Sequence, residues 1–215
     1  MMIKAKPFPT WVLVVLGHIV SWFLRRKLNR IQIFDVPIKQ AHSYILMCNH
    51  FSFLDGFIAA HLLRKAIYKK NKQIKSMYIM VLEKQLQQNK WITRFGGFSI
   101  APGTASAKES LNYAAEILSV PGNVLFLFPQ GRIESNHTRV MELKSGIADI
   151  VPQIKGDCQL LWSSNLIEYY ESVSPSVYCH MLDCRTNHDF DFRELCDRIN
   201  THHLNAIKKQ IRFSE

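Results

Sequence analysis

Two side chains five positions apart carry the clearest chemical signal in this chain. His50 and Asp55 lie in the run Asn49-His50-Phe51-Ser52-Phe53-Leu54-Asp55-Gly56. A carboxylate beside an imidazole fixes its tautomer and raises its basicity, which is what removing a proton from a hydroxyl requires. The run follows an apolar stretch at 44–48 and opens a helical pattern at 54–66. Ser52 is a good N-cap residue, and Asp55 three places later completes a capping-box-like pair. A plainer reading therefore stands beside the catalytic one: Asp55 caps a helix, and His50 is a hydrogen-bonded residue at a strand end. The two coincide in space, because an Asp in the first helical turn points its carboxylate back toward His50. The helix start also offers a positive dipole end and free backbone donors to an anionic substrate or intermediate.

Three further segments end apolar runs in Gly or Pro: Gly96-Gly97-Phe98-Ser99-Ile100, Phe126-Leu127-Phe128-Pro129-Gln130-Gly131, and Val151-Pro152. Sites in α/β folds gather at the carboxyl ends of strands, so the surrounding elements decide whether these segments meet. Strands are expected at 31–34, 44–48, 77–82, 97–101, 124–128 and 147–151, with weaker ones near 160–162 and 177–181. Helical patterns at 54–66, 106–118 and 192–211 lie between or after them. Pro121-Gly122-Asn123 is a turn feeding the strand at 124–128. The alternation predicts an α/β, single-domain sandwich: a mixed, largely parallel β-sheet flanked by helices.

Taken together, in this order and at these separations, the segments resemble the lysophosphatidic acid acyltransferase family, glycerolipid acyltransferases with a His-x4-Asp motif. That family's Asn-His-x-Ser-x-x-Asp block is matched by Asn49, His50, Ser52 and Asp55. Its Gly-rich strand is matched by Gly97-Phe98-Ser99-Ile100, and its Phe-Pro-Glu-Gly-Thr-Arg block by Phe128-Pro129-Gln130-Gly131-Arg132-Ile133. A hydrophobic strand with Val-Pro is matched by Val151-Pro152. The resemblance implies transfer of a fatty acyl group from an acyl-CoA or acyl-carrier-protein thioester to a lysophospholipid-type or related lipid acceptor. It casts His50 as general base and Asp55 as the residue that orients it. Asn49, Ser52, Gly97, Ser99, Phe128, Pro129, Gln130, Gly131 and Arg132 become the expected substrate-binding set, with oxyanion donors near Gly131 or the helix start. No metal and no cofactor are implied, since the acyl donor is itself a substrate.

The chain departs from the family where the family grips a phosphate. Ala101 replaces an Arg, Gln130 replaces a Glu, and Arg132 falls one place early with Ile133 in the Arg slot. A bidentate Arg cannot shift without changing what it grips. Either Arg132, Arg139 or Lys108 restores the clamp from another direction, or the acceptor is a phosphate-free alcohol or amine such as an amino-acid lipid or glycolipid.

Residues 1–30 read as an apolar and basic membrane-associating segment ahead of an acyltransferase domain at 31–215. Trp11 to Leu24 is apolar except for Gly17, His18 and Ser21, and Arg25-Arg26-Lys27 follows. These residues as a helix rise about 21 Å, short of the roughly 30 Å hydrocarbon core. Trp11 and Trp22, with bases beyond both, suit an N-terminal helix lying in the membrane interface; packing against the protein's own body is the alternative. The expected location is the cytoplasmic face of a membrane, peripheral or monotopic.

With 27 Lys+Arg against 17 Asp+Glu, the net charge of +10 points to an anionic partner. Membrane lipids and an acyl carrier protein are the expected partners. Arg64, Lys65, Lys69, Lys70, Lys72 and Lys75, with no acidic residue among them, read as a solvated loop or as a dock for either partner. Only Tyr68 interleaves these bases, which argues against nucleic acid. The five cysteines show no CxxC or disulfide framework and suggest a reducing compartment. Cys179, Cys184 and Cys196, near His180 and His188, fit no common zinc spacing. A serine hydrolase built on Ser99 lacks a convincing following helix and a downstream Asp-His pair. A non-catalytic basic peripheral membrane-binding protein explains the charge but not the ordered blocks. His202-His203 is expected to be solvated.

Overall fold

Seven strands share one sheet: β1 (Arg30–Phe34), β2 (Ser43–Cys48), β3 (Ser76–Leu82), β4 (Gly97–Ile100), β5 (Asn123–Leu127), β6 (Cys158–Glu168) and β7 (Ser176–Thr186). Their order is β1-β7-β6-β2-β5-β3-β4. Strands β2 to β6 run parallel, β7 returns antiparallel to β6, and β1 lies parallel to β7. The helices are α1 (Thr10–Lys27), α2 (Asp55–Leu62), α3 (Glu83–Gln88), α4 (Ala105–Leu118), α5 (Gly146–Ile150) and α6 (Phe192–Gln210). The computed structural model describes residues 2–210; the last residue expected in the closing helix, Ile211, lies outside the described residues.

Both faces of the sheet are covered, which is why the central strands are apolar throughout rather than alternating. Ile45 and Met47 of β2 face one core with Ala114, Leu118, Ile150 and Ile199 from α4, α5 and α6. Tyr44, Leu46 and Cys48 face the other with Leu24 of α1 and Ile58 and Leu62 of α2. The expected α/β sandwich is thus present, with helices on both sides of a mixed, largely parallel sheet.

Several elements differ from the sequence reading. Residues 147–151 are not a strand: Gly146–Ile150 is α5 and Val151–Gln153 is a 3-10 turn with Pro152 near its start. Ile147 and Ile150 recur at helical spacing and are buried; so short an apolar run does not separate strand from helix. The Val151-Pro152 block therefore precedes the strand β6 instead of ending one. Strands β6 and β7 each run 11 residues, well beyond the segments expected. In β6 the polar run Ser163-Ser164-Asn165 is fully buried, with Ser163 Oγ donating to Asn165 Oδ1 and Trp162 Nε1 to Ser164 Oγ, both at 2.8 Å. Helix α2 gives way to a π-helical turn over Leu63–Tyr68, where a solvated loop was the plain reading of the basic run.

The chain enters along the β4 edge. Ser99 N–H donates to Ile3 O at 3.0 Å and Ile3 N–H to Ser99 Oγ at 2.8 Å. Helix α1 then lies antiparallel on α2, pairing Phe23 with Phe57 and Ser21 with His61. Its outer face exposes Trp11, Val15, Ile19 and Trp22. No helix among the described residues is long and apolar enough to cross a membrane.

Candidate active site

At the carboxyl end of β2 the chain turns sharply before entering α2. His50 Nδ1 lies 2.7 Å from Asp55 Oδ2, which also accepts the N–H groups of Phe51 at 2.7 Å and Ser52 at 2.9 Å. The Ser52 hydroxyl donates to Asp55 Oδ1 at 3.3 Å and accepts Leu54 N–H at 3.0 Å. Asp55 is fully buried and surrounded by donors, so it stays an acceptor. The shared proton then sits on Nδ1, which leaves the Nε2 lone pair of a neutral imidazole free to act as a base. Among the described residues nothing hydrogen-bonds Nε2, and the side chain is 26% exposed.

Ser52 does not cap α2. The helix starts at Asp55 after a turn, its N-cap position is Leu54, whose own side chain makes no capping bond, and Ser52 Oγ instead accepts the Leu54 N–H. The carboxylate instead satisfies the turn's own donors and points back at His50, as expected from its place in the first helical turn.

The turn after β5 completes the cluster. Phe128 stacks on His50 with centroids 4.7 Å apart. Gln130 is buried, and its Oε1 accepts His50 N–H at 2.6 Å. Gly131 takes φ +69°, a left-handed conformation that suits glycine, and its N–H donates to Phe128 O at 3.0 Å. That donor is committed to the turn and so is not available to an oxyanion. Pro129 O accepts Lys144 N–H at 2.8 Å.

Glu134, which the sequence reading missed, joins three of these residues. Its N–H donates to His50 O at 2.8 Å, and its carboxylate accepts from Gln130 Nε2 and from Arg132 Nε. Arg132, and then Gln130, hold the Glu134 carboxyl below the ordinary carboxylate range. Arg132 is shared between Glu134 at 2.7 Å and Glu142 at 3.5 Å, and so is already neutralised from two sides.

Other expected site residues lie elsewhere. Asn49 faces β6: its Nδ2 donates to Asn165 O and its Oδ1 accepts Asn165 N–H, fastening the end of β2 to β6 beside His50. Gly97 and Ser99 sit buried in β4, three strands from β2, so they do not join the cluster. A Cβ on Gly97 would meet Ile92 Cγ2 at 2.6 Å, and Ser99 holds the entering chain. Lys108 on α4 and Arg139 are exposed, and no hydrogen bond or ion pair joins either to the His50 cluster. His202 and His203 are not solvated: His203 is fully buried between Ser164 and Thr138 O, and His202 bonds His180 O.

The family model described as Acyltransferase matches residues 30–161. No curated protein sequence matches the chain. Among solved structures, the 1-acyl-sn-glycerophosphate (LPA) acyltransferase PlsC from Thermotoga maritima is similar in fold. Its TM-score is 0.65 at 15% identity, over 96% of this chain and 83% of that one.

Proposed function

Because this chain belongs to the Acyltransferase family, we propose that it moves a fatty acyl group from an acyl-CoA or acyl-carrier-protein thioester to a lysophospholipid-type or related lipid acceptor. His50 Nε2 takes the proton from the acceptor hydroxyl as its oxygen bonds the thioester carbonyl carbon. The tetrahedral intermediate collapses, the C–S bond breaks, and the imidazolium returns the proton to the leaving sulfur. Asp55 orients the ring and stabilises its charged form. Phe128 backs the imidazole, and the α2 start faces the developing oxyanion. One observation carries this reading: the 2.7 Å contact between His50 Nδ1 and a fully buried Asp55, with Nε2 left without a partner among the described residues.

A phosphate-free alcohol or amine acceptor is the second reading. It is favoured by Arg132, which Glu134 and Glu142 already neutralise. The exposed aromatic residues of α1 support an interfacial seat on a membrane, where such acceptors reside.

The test is thiol release from palmitoyl-CoA and from an acyl-carrier-protein thioester, with lysophosphatidate, other lysophospholipids and phosphate-free alcohols and amines as acceptors. Acceptor-dependent release is expected, and His50→Ala should lower it by about 10²–10⁴-fold. Release indifferent to that substitution would sink the His50 mechanism.

A further inference from the structure

The junction of α1 and α2 gathers cations with no carboxylate to neutralise them. Gly17, Ser21 and Arg25 recur every four residues on one face of α1. Ser21 Oγ gives its single proton to Gly17 O at 2.7 Å. It then accepts from Arg64 Nε at 2.8 Å and from His61 Nδ1 at 2.9 Å. Arg25 Nε donates to Ser21 O at 3.3 Å. The Arg64 stem crosses α1 at Gly17, where an added Cβ would lie 3.4 Å from its Cδ.

Two guanidiniums are thus tethered to one serine, each through Nε, and their forked ends have no ion-pair partner among the described residues. Lys65 stands beside Arg64, and burial followed by the neighbouring cations lowers the pKa of both. Like charges held this close repel unless an anion lies among them. Free guanidinium forks match the oxygens of a phosphate. The same helix turns Trp11, Val15, Ile19 and Trp22 to solvent, 52% to 71% exposed, and Arg26 lies 4.6 Å over the Trp22 ring. A soluble phosphate would account for the cations alone; a lipid accounts for the cations and the apolar face together.

We propose that Arg25, Arg64 and Lys65 form a site for the headgroup phosphate of an anionic membrane lipid, separate from the acceptor position at His50. This rests on the reading that α1 lies in a membrane surface, and not on the acyl-transfer chemistry.

The full chain is floated with vesicles of phosphatidylcholine alone and of phosphatidylcholine mixed with phosphatidylglycerol, with circular dichroism as the check on folding. The wild type should bind the mixed vesicles more tightly. Arg64→Gln and Arg64→Lys should each weaken that binding by about tenfold, because a lysine keeps the charge but not the fork. Arg25→Gln, at an exposed position that does not threaten the fold, should lower it by about fivefold. Wild-type affinity in Arg64→Lys would overturn the site in favour of diffuse charge. Binding to both vesicle types without preference would overturn it while leaving the membrane reading intact, and binding to neither would overturn both. Inorganic phosphate supplies the last arm. If it raises the unfolding temperature through Arg64 while vesicle binding ignores Arg64→Lys, the ligand is soluble phosphate and the lipid assignment fails.

Discussion

Glu134 ends a chain of contacts that reaches His50 from both sides of its backbone. Gln130 Oε1 accepts the His50 N–H, Glu134 N–H donates to the His50 carbonyl, and the Glu134 carboxylate holds the Gln130 carboxamide in place. Replacing it by Ala leaves a buried amide short of its partner, loosening the ring's seat without touching the His50–Asp55 contact. Glu134→Ala is therefore expected to lower kcat by about tenfold with KM little changed and the pH profile unmoved. Glu134→Gln keeps an acceptor for Gln130 and should restore most of the rate. Equal losses in both variants, or a rise in KM instead, would place Glu134 against the acceptor. His50 and Asp55 were legible in the sequence because their partnership is local, five positions across one turn. Glu134 was not, because an acid near an Arg is an ordinary surface pattern, and only the fold brings it over His50.

At the scale of elements, what the sequence disclosed depended on burial. Strands β2 and β5 are covered on both faces, so they read as apolar runs and were legible. Strand β6 was cut short in the reading because Ser163, Ser164 and Asn165 are polar yet buried, with Ser163 bonded to Asn165 and Ser164 to Trp162 and His203, partnerships that composition does not register. Strand β4 differs in another way: its Gly97 and Ser99 suggested a binding strand, and in the fold their neighbours are Ile92 and the entering chain. Gly97→Ala should therefore act on stability. The new Cβ would fall 2.6 Å from Ile92 Cγ2 and 2.9 Å from Ile92 O, an overpacking that costs about 1–3 kcal/mol. A lower thermal midpoint with unchanged KM in the folded fraction is the expected result. A raised KM at unchanged stability would return Gly97 to the substrate.

Taken as a whole, the molecule is sensitive to acid through its buried imidazoles, His61 and His180 most strongly. His61 joins α2 to α1, and His180 joins β7 to β1 by stacking on Phe34 at 4.3 Å. Burial first, and then neighbouring cations, push each from the usual value near 6.5 down to about 4. Between those values the unfolded chain binds more protons than the folded one. The neutral forms' stability is thus complete above pH 6.5 and is lost as the pH falls through that window. Each imidazole accounts for up to roughly 3 kcal/mol at the acid end. Urea unfolding followed from neutral pH to about pH 4.5 should show this decline, and His180→Gln should make it shallower; a pH-independent midpoint would contradict it.

The pairing that His180 helps to hold has a further consequence, for translation. Strand β1 sits between α1 and the long wait for β7, its one sheet partner among the described residues, with Arg30 opposite Ser176. On the ribosome, α1 and β1 emerge while most of the chain is still to be made. The aromatic face of α1 is therefore open to its surroundings before the sheet can close, and pairing at such separation is slow even afterwards. Nascent chains stalled ahead of residue 176 would carry β1 unpaired and cleavable by protease. The molecule presents α1 first and seals its sheet last.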